Sequence, residues 1–194
     1  MNYAAAKTYI LRKLKHELSD KLYYHGVHHT LDVLAVAEDL CRAQKRSAHE
    51  TQLVKTAALY HDAGFLFVTQ GHEAVGCEMA REILPRFDYK PDDVEQICGM
   101  IMATKIPQSP QNELEEILCD ADLDYLGRSD FYHIGATLFA ELRAYGVLQH
   151  EEEWNRIQVA FLENHTFFTD FNRVHRTPLK LQHLAELKAV VASY

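Results

Sequence analysis

Leu53-Val54-Lys55-Thr56-Ala57-Ala58-Leu59-Tyr60-His61-Asp62 is the stretch on which the reading of the fold turns. Leu53, Ala57, Ala58, Leu59 and Tyr60 make an apolar helical run, and it closes on an imidazole beside a carboxylate. Neighbouring helical residues point about 100° apart, so His61 and Asp62 address one object only if it sits between them, at the helix's inner corner. A carboxylate buried there without a partner is costly. A metal ion compensates both groups at once.

Two other segments carry the same chemistry. Tyr24-His25-Gly26-Val27-His28-His29 lies upstream and Cys119-Asp120-Ala121-Asp122-Leu123 downstream. Three separated segments that each bring imidazole or carboxylate are the raw material of a divalent metal site. His25 and His29 are four apart across a helix start and face one cavity, while His28 points off that face. Asp120, Asp122 and Asp124 alternate by two, so they cannot all share one helical face. Asp122 falls among apolar positions and is the expected ligand, and Asp124 is expected to be solvated.

Helical patterns fill the rest of the chain. Residues 4–19 form an amphipathic helix, and Gly26 suits the bend into a second helix from about Val27 to Lys45. Ser47-Ala48-His49-Glu50 has the form of a capping box, which starts a third helix near Ala48 that runs to about Asp62, with Gly64 ending it. Phe65 to Gly71 reads as a short apolar loop. A helix from His72 through Leu84 closes at Pro85, and Pro91-Asp92-Asp93 opens another to about Thr104. Pro107, Ser109 and Pro110 mark a loop, Leu114 to Leu126 is helical, and the tail holds helices near 129–145, 150–165 and 179–192. Sustained period-two alternation and hairpin turns are missing, so the expected fold is all-α, a compact multi-helix bundle.

The 194 residues suit one well-buried domain, expected to span 1–194. A net charge of −8 argues against nucleic acid as the main partner, because phosphate backbones demand a concentrated positive face. Small phosphorylated molecules stay open as substrates, since a local metal attracts them despite an acidic surface. No apolar run reaches the roughly 20 residues of a membrane span, and the N-terminus lacks a secretory pattern. Cys41, Cys77, Cys98 and Cys119 form no Cys-x-x-Cys pair and read as buried free thiols, which points to a reducing cytoplasmic setting.

A His, then a His-Asp doublet about one helix later, then an Ala-Asp pair before a Leu, all in a helical chain, resembles the HD-domain superfamily of metal-dependent phosphohydrolases. The ordered set is His29, His61-Asp62 and Asp122, and the resemblance covers about 23–145, with the helices of 150–192 packed on that core. It is similar above all to small single-domain members of the superfamily.

The resemblance implies one divalent metal ion held by His29, His61, Asp62 and Asp122. Manganese, iron, magnesium, zinc, cobalt and nickel all accept that ligand set. It implies a phosphate ester of a small molecule or nucleotide hydrolysed by a metal-activated water, with Asp62 or Asp122 orienting the water. His25 resembles the His of the Tyr-His element that protonates the leaving oxygen in cyclic-nucleotide phosphodiesterases, although Gly26 stands where that family usually carries Asn. His72 resembles the ligand of a second metal in dinuclear members. The further His or His-His pair of those members is replaced here by Ile101-Met102-Ala103-Thr104-Lys105, so the expectation is one metal, with His72 and Lys105 meeting the substrate phosphate. His165, Arg176 and Lys180 are expected at the surface, and Trp154, Phe161, Phe167 and Phe168 in the core. The alternatives are a diiron oxygenase of the same fold and a non-catalytic ligand-binding module.

Overall fold

A computed structural model describes residues Met1–Tyr194. The chain is helical throughout and has no strand. It divides into two compact units, Met1–Ser19 with His25–Asp122, and Asp20–Tyr24 with Leu123–Tyr194.

The first unit holds α1 (Tyr3–Glu17), α2 (Val27–Ala43), α3 (Ala48–Tyr60), α4 (His72–Ile83), α5 (Pro91–Ala103) and α6 (Glu113–Asp122). Short 3₁₀ turns at Ala63–Leu66 and Leu84–Phe87 flank α4. The central element is α3, which packs against α1, α2, α5 and α6. Its composition dictates this place: Leu53, Val54, Ala57, Ala58, Leu59 and Tyr60 are all buried, and a helix apolar on every side must be surrounded. The predicted capping box forms, with Ser47 Oγ accepting from the Glu50 N–H and Glu50 Oε2 accepting from the Ser47 N–H.

Two local expectations change. The third helix stops at Tyr60 rather than Asp62, and the chain re-coils into the 3₁₀ turn. Gly64 is therefore no helix-ending glycine in the left-handed region. Its missing side chain answers a close approach, since a Cβ there would lie 1.9 Å from the His72 carbonyl oxygen. The glycine of this segment in the left-handed region is Gly71 (φ 71), the residue that introduces α4.

The second unit holds a 3₁₀ turn (Asp124–Gly127), α7 (Phe131–Ala144), α8 (Glu151–Asn164), α9 (Asp170–His175) and α10 (Thr177–Val191). Its core gathers Tyr24, Leu123, Tyr125, Leu126, Phe131, Leu162, Phe167 and Leu187. The short α9 escapes the sequence pattern, because six residues are too few for a periodicity to register. Its N-terminus carries a regular cap, Thr169 Oγ1 accepting from the Asn172 N–H.

Asp124 is buried in this unit rather than solvated, and Oδ1 accepts from Arg176 Nε at 2.8 Å and Asn172 Nδ2 at 3.2 Å. His165 and Lys180 are likewise buried, with Lys180 Nζ donating to the His165 carbonyl. Burial lowers the Lys180 pKa. All four cysteines are buried free thiols, as expected. No helix is long and apolar enough to cross a membrane.

Candidate metal centre

The first unit brings together all four predicted ligands at the ends of three helices. His29 sits in the first turn of α2, His61 and Asp62 follow the last residue of α3, and Asp122 is the last residue of α6. The doublet converges because the chain leaves helical geometry between its two members. His61 is still helical (φ −56, ψ −41), whereas Asp62 has turned out (φ −100, ψ 5). The negative ends of the α3 and α6 dipoles meet here and add to the attraction for a cation.

The donor atoms form a tight cluster. His29 Nε2 lies 3.0 Å from Asp122 Oδ1, 3.4 Å from His61 Nε2 and 3.5 Å from Asp62 Oδ2. His61 Nε2 lies 3.1 Å from Asp62 Oδ2 and 3.5 Å from Asp122 Oδ1. An ion bound at about 2.1 Å holds adjacent donors roughly 3.0–3.4 Å apart, so these spacings already match a coordination shell. Asp62 Oδ2 is buried and accepts no hydrogen bond, a state that a bound cation relieves. His61 Nδ1–H donates to the Ala58 carbonyl at 2.9 Å, which makes Nε2 the nitrogen turned to the cluster. On these grounds the residues fit a divalent metal ion.

Electrostatics agree with the geometry. Burial alone would lower the His61 pKa, but the Asp62 and Asp122 carboxylates outweigh it and hold the imidazole well above its ordinary value. Burial would raise both carboxyls, yet the His61 charge holds Asp62 well below the carboxylate range, and hydrogen bonding to His29 and His61 holds Asp122 at about 2. Two carboxylates remain ionised among the imidazoles, as a cation site requires.

Around the cluster, His72, the first residue of α4, places Nε2 3.4 Å from Asp62 Oδ1 and 3.7 Å from Glu73 Oε1. His25 is half-buried, with its ring centroid 6.1 Å from that of His29. Some exposure persists at Asp122 (14%) and His72 (18%), so the cluster is buried without being sealed. Lys105 is exposed and lines an open depression with Met102, Ile106, Pro107 and Glu115, a wall that includes none of the four donor residues.

Two neighbours carried no signal in the sequence. Glu73 is a buried carboxylate beside His72. Phe65, read as part of an apolar loop, stacks on both His25 and His72.

The HD-domain family model matches residues 26–124, just over half of the 194-residue chain, and spans every donor of the cluster. The chain belongs to the HD-domain family. Members of this family are generally metal-dependent hydrolases. The HD fold extends beyond the matched segment. A crystal structure of a predicted HD superfamily hydrolase from an uncultured Thermotogales bacterium superposes with a TM-score of 0.63 at 20% identity, covering 96% of this chain and 91% of that one. No curated protein matches the chain in sequence.

Proposed function

We propose that this HD-domain protein is a metal-dependent phosphohydrolase that cleaves a phosphate ester of a small molecule or nucleotide. The observation that carries the reading is the cluster itself: His29 and His61 hold their Nε2 atoms 3.4 Å apart, and each lies 3.0–3.5 Å from a carboxylate oxygen of Asp62 and of Asp122. A divalent ion held there supplies Lewis acidity toward a phosphoryl oxygen and toward water. The chain's own groups supply the rest. Asp62 and Asp122 stay ionised and orient the incoming water, and His25, half-buried at the cluster's edge, donates its proton to the departing alkoxide. The P–O bond to the alcohol breaks, the water oxygen remains on phosphorus, and His72 meets the phosphate.

The test is metal content per chain by inductively coupled plasma mass spectrometry, for the wild type and Asp62→Ala. Hydrolysis of p-nitrophenyl phosphate, bis(p-nitrophenyl) phosphate and a nucleotide panel is then followed in the metal found. About one ion per chain, lost together with activity in the variant, is the expected result. Two irons per chain, or a metal-loaded protein inert toward every ester, would overturn the reading.

A further inference from the structure

Phe65 occupies an unusual position beside the cluster. Its ring stacks on His25 at 4.2 Å and on His72 at 4.0 Å, at 25° to each plane. The two imidazoles stand 6.2 Å apart with their planes opened by 50°, so the phenyl plane bisects the angle between them. Three segments meet in this stack: the turn before α2, the 3₁₀ turn after the doublet, and the first residue of α4. Phe65 is also tied to the metal ligands, since its backbone N–H donates to the Asp62 carbonyl at 3.0 Å.

This arrangement addresses a specific weakness. His25 precedes α2 and lies in no regular element, so side-chain contacts set its ring orientation. A proton donor acts only at the correct distance and angle. A stacked aromatic face restricts the ring to rotation within one plane, and it does so without competing for the imidazole nitrogens.

We propose that Phe65 is a positioning residue of the site, the common face that sets the ring planes of His25 and His72. The inference rests on the proton-donor role of His25 in the proposed function. It assigns to an apolar side chain a share of the orienting work that hydrogen-bonded carboxylates perform for histidines elsewhere.

The experiment pairs kinetics with a direct view of the ring. In the zinc-loaded protein, the His25 ring-proton resonances are identified with a His25→Ala variant and followed in Phe65→Leu. Loss of the phenyl ring current is expected to move them downfield. In the same variant, kcat on bis(p-nitrophenyl) phosphate is expected to fall about ten- to a hundred-fold, with KM and metal content unchanged. Phe65→Tyr, which keeps the ring, recovers most of that loss. Unmoved resonances, an unchanged kcat, or a kcat loss that only tracks metal loss would each overturn the proposal. If the wild type hydrolyses no ester while the resonances move as expected, the proposed function fails and the stacking role of Phe65 stands.

Discussion

His61 is turned toward the cluster by Ala58: Nδ1 bonds to the Ala58 carbonyl at 2.9 Å, one turn back along the same helix. The helix end thus uses one of its own unpaired carbonyls to choose the tautomer of a ligand. Replacing His61 with Asn removes the Nε2 donor while retaining a side chain of similar polarity. Metal affinity, measured by competition with a chromophoric chelator, is expected to drop by at least about 100-fold with the helical circular dichroism unchanged. Retained affinity would remove His61 from the ligand set.

The charges of the cluster give the metal-free protein a defined pH response. Asp62 and Asp122 have folded pKa values below their unfolded ones, so their contribution is present above about pH 4 and is lost as pH falls through the folded values. His61 is raised, so its contribution is complete below about pH 6.5 and is lost as pH rises through its folded value. A divalent metal needs His61 unprotonated at Nε2, so binding releases a proton. The difference in Tm between metal-loaded and chelator-treated protein is therefore expected to widen from pH 5 to pH 8, and a flat difference would contradict the coupling.

Gly64 tests the approach of α4 to the turn after the doublet. A Cβ would meet the His72 carbonyl oxygen at 1.9 Å, and because the Cβ position is fixed by the backbone and its neighbour is backbone, no rotamer relieves the contact. Gly64→Ala is expected to cost at least about 1–3 kcal/mol in urea unfolding. A variant as stable as the wild type would show that α4 starts elsewhere.

Asp122 and Asp124, two residues apart, serve different ends. Asp122 Oδ1 faces His29 and His61, whereas Asp124 Oδ1 receives Arg176 and Asn172. Asp122→Ala is expected to lose metal and, in the metal-free protein, the stability that its ionised carboxylate contributes above about pH 4. Asp124→Ala leaves Arg176 without its carboxylate and is expected to cost about 2–3 kcal/mol, less than a fully buried pair because Arg176 is 29% exposed. Metal titration and thermal unfolding of the two variants distinguish the roles.

The convergence of His29, His61, Asp62 and Asp122 was legible because it depends on residue type and order: imidazole and carboxylate at helix ends are hard to explain as packing. The helix boundaries around it were legible wherever a cap marks them, as at Ser47 and Pro91. What stayed hidden depends on contacts between distant segments. Asp124 reads as a solvated acid until Arg176 and Asn172, some fifty residues on, arrive beside it. Phe65 reads as a loop residue until the rings of His25 and His72 close on it. Gly64 reads as a helix stop, because one chain position cannot reveal that another backbone fills the place where its Cβ would stand.

The turn of Asp62 out of helical geometry sets limits on engineering. Changes that hold Asp62 in helical geometry would extend α3 past Tyr60. Each would carry the carboxylate around the axis, away from His61 Nε2. In this chain the interruption at the end of α3 is what sets Asp62 beside His61, and lengthening that helix would undo the pairing.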